Sequence, residues 1–417
     1  MGFHSLLDAS SGRPDRLPNG LENQSSLSDT VLRLIWSEGN ISRAEIARVL
    51  NLSRSTVTEI VRDILASRFV SEGGRGESSG GRRPIVLEFE YNAGIMMGVD
   101  IGATHVSVLL VNLKGERLAF REERFGVRAD PTGTIRLAIH LAEECLKESA
   151  RSEVELLAMG VAMPSPIDPL TPEQLPETVM PHWKGSDVLS LFRSRFEIPV
   201  YIDNDTNLGA LAEFWWGAGS LYSNVVFIKA GYGIGAGFIL DGRVYRGDSG
   251  FAGEIGHIPL DADGPDCVCG LKGCLVTLVG GLALEERARA LHPCHPDSLL
   301  DPAKISYRAI LQASRDGDPM CKAIVQQAAI RLGQALSGVI NLLNPGLIVI
   351  GGGWSVAGEE LISMISEEVG HCVLIQKASP PRIQLSELGP RVIALGAATL
   401  ALEKSLLTPD FYQIESF

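Results

Sequence analysis

The chain has 417 residues, 45% of them hydrophobic, with a formal net charge of −13 and seven cysteines. That length exceeds what one hydrophobic core organises, so two or three domains are expected, and the acidic balance excludes a protein that coats nucleic acid along its whole length. An odd cysteine count without an apolar leader excludes a secreted disulfide framework, and no apolar run is long enough to cross a bilayer; a soluble protein of the reducing cytoplasm, without membrane contact, is expected.

Residues 1–25 mix Ser, Gly, Pro, Asp and Arg without periodicity and read as a flexible arm. Val31, Leu32, Leu34, Ile35 and Trp36 then predict a helix stopped by Gly39, and Ser42-Arg43-Ala44-Glu45 is a capping box that opens a second. A third starts at Ser53, with Val57, Ile60, Val61, Ile64 and Leu65 inward and Arg54, Ser55, Thr56, Thr58, Glu59 and Arg62 outward. This is a helix-turn-helix layout whose third helix carries hydroxyls and arginines suited to base edges and phosphates, although a merely solvated face gives the same pattern. Phe69-Val70, the Gly/Ser-rich stretch 73–81, Arg82-Arg83-Pro84 and Ile85 to Phe89 predict two strands around a basic loop, a wing. Arginines exceed acids by three between Asn40 and Pro84, inside an otherwise acidic chain. Residues 26–90 are therefore expected to bind DNA through Arg54, Ser55, Thr56, Thr58 and Arg62, with Arg82 and Arg83 reaching the adjacent groove. One such helix reads only a few base pairs, so a homodimer or homotetramer on an inverted-repeat operator is expected.

The remainder, 91–417, begins with the apolar run Ile95 to Val99, the glycine turn Asp100-Ile101-Gly102-Ala103-Thr104, a second run from Val106 to Val111 and the turn Asn112 to Gly115. The same unit recurs as Val225 to Ile228, Gly231 to Gly237, Phe238 to Leu240 and Asp241-Gly242, which predicts an internal duplication with glycine turns able to cradle phosphate between two lobes. Between the repeats, Val200-Tyr201-Ile202-Asp203-Asn204-Asp205-Thr206-Asn207 is a strand ending in polar side chains before a helix, the place where α/β folds put ligands. An N-cap role for Asn204 and Asp205 is the plain alternative. Long helices are expected from Ala323 to Leu343 and from Glu359 to Val369, a buried strand at Leu347 to Ile350, and a closing helix from Ala394.

The densest chemistry lies from Gly250 to Cys274. His257, Cys267, Cys269 and Cys274 supply one imidazole and three thiolates, the set a closed tetrahedral zinc site uses in full, so a structural Zn²⁺ is expected; three buried thiols and an unrelated histidine are the alternative. Glu254, three residues before His257, would face the same cavity as an acceptor for ligand hydroxyls.

These motifs resemble the ROK family of sugar kinases and sugar-responsive repressors, over Ser28 to about Glu403. The family carries E-x-G-H followed by C-x-C-G-x-x-G-C-x-E, matched here by Glu254, His257, Cys267, Cys269, Gly270, Gly273 and Cys274. The resemblance implies a duplicated α/β fold of the actin-like, ribonuclease-H-like type behind the winged helix, with Asn204, Asp205, Glu254 and His257 around a sugar. It also implies that Asp205 stands where kinases keep their general base. Departures are equally specific: Ala103 and His105 replace a glycine and a lysine of the first phosphate turn, Tyr232 replaces a threonine of the second, and Val276 replaces a sugar-contacting glutamate. The expected function is a sugar-responsive DNA-binding repressor in which Asp205 is a vestigial base; the alternative is an ATP-dependent sugar kinase with an attached DNA-binding module.

Overall fold

The computed structural model describes residues 26–75, 85–172, 180–183, 188–374, 380–409 and 411; the arm 1–25 and the wing-loop arginines Arg82 and Arg83 lie outside them. The first elements are α1 (Leu27–Glu38), β1 (Asn40–Ser42), α2 (Arg43–Val49), α3 (Arg54–Leu65), β2 (Val70–Arg75) and β3 (Ile85–Phe89). Both N-terminal helices open on capping boxes, Ser26 with Asp29 and Ser42 with Glu45, each cap contributing about 1 kcal/mol. The predicted wing pair is present, and β1, which no pattern in the sequence announces, adds a third strand in the order β1-β3-β2.

Two five-stranded sheets follow. The first takes β4 (Ile95–Ile101), β5 (His105–Asn112), β6 (Arg117–Arg124), β7 (Leu156–Met163) and β8 (Val200–Asn204) in the order β6-β5-β4-β7-β8; α4 (Pro131–Ser149) and α5 (Val188–Phe196) belong to the same stretch of chain. After α6 (Asp205–Trp216), β9 (Val225–Ala230), β10 (Ile234–Leu240) and β11 (Arg243–Tyr245) open the second. It is completed, after α7 (Leu275–Val279), α8 (Gly281–Leu291), α9 (Tyr307–Arg315) and α10 (Pro319–Leu343), by β12 (Leu347–Gly351), α11 (Glu359–Cys372) and β13 (Arg382–Leu385). Its order, β11-β10-β9-β12-β13, repeats the first sheet strand for strand. In each, the central strand pairs antiparallel on its hairpin side and parallel on the other, the duplication expected from the repeated glycine turns.

The last helix, α12 (Val392–Leu407), and α6 form the layer between the sheets: α12 packs on β4 and β7, α6 on β9 and β10, and the helices pack on each other. Both are buried over nearly their whole length, with polar side chains at the start of α6 and exposed Lys404 in the last turn of α12. Close approach sets the sequence where they meet. A Cβ at Gly396 would lie 1.8 Å from the Leu208 carbonyl oxygen, and one at Gly160 would lie 1.8 Å from that of Ala397. No described helix is long and apolar enough to cross a membrane.

The winged helix is docked on the first lobe through aromatic residues. Trp36 Nε1 donates to the Leu113 carbonyl across 2.9 Å, its ring lies 5.5 Å from that of Trp215 at the end of α6, and Tyr91 Oη donates back to the Trp36 carbonyl. Phe411, 1% exposed, stacks on Phe69 of the winged helix at 5.0 Å.

Candidate functional site

On the winged helix, Ser53 caps α3 by accepting from the Thr56 amide, and Val57, Ile60, Val61 and Ile64 turn inward. That leaves Arg54, Ser55, Thr58 and Arg62 exposed and Thr56 half-buried at the helix start. Thr58 Oγ1 donates to the Arg54 carbonyl, and Arg62 makes only a 3.4 Å contact to Asp63, so both guanidinium groups on α3 point to solvent. Arg43, anchored to Glu72 of β2 at 2.6 Å, shares a surface hollow with Thr58 and Arg62.

The carboxyl ends of β4, β8, β9 and β12 open on one cleft between the lobes. At the end of β8, Asn204 Oδ1 caps α6 by accepting from Thr206 and Asn207, and its Nδ2 donates to the Ser165 carbonyl at 3.0 Å. The N-cap reading and the ligand-site reading of Asn204 are thus compatible, because capping fixes the side chain at the cleft. Asp205 begins α6, where the helix dipole favours a carboxylate, and is 4% exposed. Asp203, one residue before Asn204, accepts from Arg246 Nε at 2.8 Å and from Asn207 at 3.0 Å. Across the cleft, Gly253 pins the Glu254 turn to β10, its carbonyl accepting from Ala236 at 2.8 Å. Burial, and then the Asp205 charge, push the Glu254 carboxyl up to about 7. Val276 lies half-buried on α7.

The ligand atoms of His257, Cys267, Cys269 and Cys274 all lie within 4.8 Å of one another. Cys269 Sγ is 3.6 Å from Cys274 Sγ, and Cys267 Sγ is 3.4 Å from His257 Nδ1, close to the edges of roughly 3.5–3.8 Å that a tetrahedron with zinc–sulfur bonds of about 2.3 Å requires. Burial lowers the His257 pKa and keeps the imidazole neutral, with a lone pair to give. Gly273 makes the convergence possible: at φ +57°, a Cβ there would lie 1.8 Å from the Asp261 carbonyl oxygen. The donor set and spacing fit a metal ion.

The chain's own side chains cover the glycine turns. His105 folds back over the first glycine turn, so that a Cβ on Gly102 would lie 2.3 Å from its ring, and its Nε2 is 3.1 Å from Asp100 Oδ2. Burial opposes the charged imidazole, but the bond to Asp100 outweighs it and raises the pKa. Tyr232 of the second glycine turn meets Tyr307 edge to face at 4.8 Å, and Glu285 accepts from the Tyr232 hydroxyl and the Tyr307 amide, both at 3.1 Å. Tyr307 in turn covers the third glycine run; a Cβ on Gly353 would lie 2.1 Å from its hydroxyl. The substitution of Tyr232 is visible in the sequence, whereas the partnership of Tyr307 is not, since it comes from a helix with no motif. Lys229 was equally hidden: its ammonium donates to Asp205 Oδ2.

The ROK family model matches residues 96–404, and a winged helix-turn-helix DNA-binding model matches 30–63. The chain is 28% identical over 387 residues to a xylose repressor of Caldicellulosiruptor bescii, covering 91% of this chain and 96% of that one. It is 30% identical over 380 residues to the DNA-binding transcriptional dual regulator NagC of Escherichia coli K12, covering 89% and 91%. Among solved structures, a ROK family transcriptional regulator homologous to the E. coli MLC protein superposes with a TM-score of 0.77 at 27% identity, covering 91% of this chain and 96% of that one. A ROK family glucokinase from Streptomyces griseus in complex with glucose and AMPPNP has a TM-score of 0.66 at 27% identity, covering 74% of this chain and 99% of that one.

Proposed function

The chain belongs to the ROK family, and on that premise we propose that it is a DNA-binding transcriptional repressor controlled by a sugar or sugar derivative. Residues 26–90 are its reading head and 91–417 its sensor. One observation carries this reading: α3 exposes Arg54, Ser55, Thr58 and Arg62 on the same chain that holds Asn204, Asp205 and Glu254 around a cleft whose nucleotide approach is filled from within. The polar groups at the cleft suit ligand hydroxyls, while Val276 offers methyl surface where a carboxylate would favour a more polar ligand. Relatives named for xylose and N-acetylglucosamine make those sugars the first to try.

His257, Cys267, Cys269 and Cys274 would hold Zn²⁺ with every tetrahedral position supplied by protein, so the ion's contribution is structural. These four residues close the loop whose first turn carries Glu254. Partners are operator DNA as an inverted repeat, a sugar effector and a second copy of the chain, in the cytoplasm. Phosphoryl transfer is negligible, because a base without a seated donor accelerates nothing and His105, Tyr232 and Tyr307 occupy the donor's approach.

Footprinting on genomic DNA, with and without xylose, N-acetylglucosamine and glucose, tests the reading. A protected palindrome whose affinity one sugar changes is expected. Absence of sequence preference at physiological salt, or sugar-dependent ATP turnover abolished by Asp205→Asn, would overturn it.

A further inference from the structure

Among the described residues Lys229 is the one cation that contacts Asp205, and its placement follows from the register of α6 on β9. Phe227 lies beneath Gly209, where a Cβ would come within 2.2 Å of its ring. Two residues on along the strand is Lys229; one turn back along the helix is Asp205. A strand advances about 6.6 Å over two residues and a helix about 5.4 Å over one turn, so the second pair meets because the first does. The neighbours of Lys229 in the sheet are Gly235 on β10 and Gly351 on β12, neither with a side chain to obstruct it. The side chain, 24% exposed, therefore carries its ammonium from the second lobe to Asp205, which follows the last strand of the first.

A second acid lies within electrostatic reach. Asp100, at the end of β4, is 2% exposed; its Oδ2 faces His105, and its Oδ1 has no hydrogen-bond partner. Burial opposes the charge on Lys229, but Asp205 and then Asp100 outweigh it and hold the ammonium above the ordinary lysine range. Asp100 has His105 as its own partner, whereas a buried carboxylate at the start of α6 would by itself gather a cation.

We propose that Lys229 is the built-in cation of this cleft: it neutralises Asp205 from the second lobe, excludes a divalent metal from that carboxylate, and thereby fixes the site as a ligand sensor. Asp205 is then engaged as the anion of a cross-lobe pair and is not available to take a proton from a sugar hydroxyl. The inference rests on the sensor reading of the cleft, but it concerns the cation alone and is tested apart from DNA binding.

The test is Mn²⁺ binding to the full-length, zinc-loaded protein, followed by the loss of the free-Mn²⁺ electron paramagnetic resonance signal. Wild type and Lys229→Arg should show no site tighter than the millimolar range, whereas Lys229→Met should bind one Mn²⁺ at least about tenfold more tightly. Adding Asp205→Asn to Lys229→Met should abolish that site. Circular dichroism establishes folding, and Lys229→Gln replaces the methionine variant if the latter fails to fold. Equal Mn²⁺ affinity in wild type and the charge-removed variant, or a new site that survives Asp205→Asn, would overturn the proposal. Operator binding by the wild type, measured on the same preparation, reports separately on the repressor reading.

Discussion

Replacing Trp36 by phenylalanine tests whether the reading head and the sensor share one mechanical unit. The indole Nε1 donates to the buried Leu113 carbonyl at 2.9 Å, and the ring packs against Trp215 at 5.5 Å. Phenylalanine keeps most of the ring contact but leaves the Leu113 carbonyl without this donor, at a cost of about 1–3 kcal/mol, and opens a small void worth roughly 1 kcal/mol more. A loss of about 2–4 kcal/mol in urea unfolding is therefore expected. The functional consequence follows from α6, whose 12 residues span about 18 Å between Asn204 and Asp205 at one end and Trp215 and Trp216 at the other. Coupling between two ligands of one protein typically amounts to about 1–3 kcal/mol, a 5- to 150-fold change in affinity. In Trp36→Phe the ratio of operator affinities with and without sugar should fall towards one, while each affinity measured alone shifts by less than roughly threefold. Titrating labelled operator by fluorescence anisotropy at zero and saturating sugar measures that ratio. A variant that loses stability yet keeps the full ratio would refute transmission through this dock, and one that loses no stability would refute the packing argument itself.

Three further outcomes are expected. Cys269→Ser should release zinc, as read by elemental analysis, and lower the melting temperature; a native protein without zinc would contradict the metal assignment. The Glu254 carboxyl, near 4.5 when unfolded and about 7 when folded, keeps its proton in the folded state where the unfolded chain has lost it. Stability from this group is thus full below pH about 4.5 and falls as pH rises to about 7, by roughly 1–3 kcal/mol; Glu254→Gln should flatten that part of the melting-temperature profile. Removing Arg82 and Arg83 together should weaken operator binding and reduce the slope of log affinity against log salt by about two, and an unchanged slope would remove both from the phosphate contacts.

Local signals carried much of this structure in the sequence. The capping box at Ser42 located one helix start to the residue, and the two glycine turns with their hairpins gave a duplication that the strand orders repeat in full. The metal loop was legible because four ligands within eighteen residues leave few other uses for their spacing. What stayed hidden depends on long-range register. β1 is three residues long and exists only because β3 lies beside it. Lys229 reads as an ordinary strand residue until Phe227 and Gly209 set its height against α6. Tyr307 sits on a helix of unremarkable pattern, 75 positions beyond the turn whose Tyr232 it meets.

Phe411 gives the molecule an order of assembly. The winged helix precedes the sensor in the chain, yet the ring that stacks on Phe69 in its core comes from beyond the sensor's final helix. A nascent chain therefore carries a head lacking part of its hydrophobic filling until translation has passed α12. Prematurely terminated products would bear a recognition helix on a loosened support, without the sensor that should govern it. Placing the head's last aromatic after α12 ties the packing of the head to completion of the sensor.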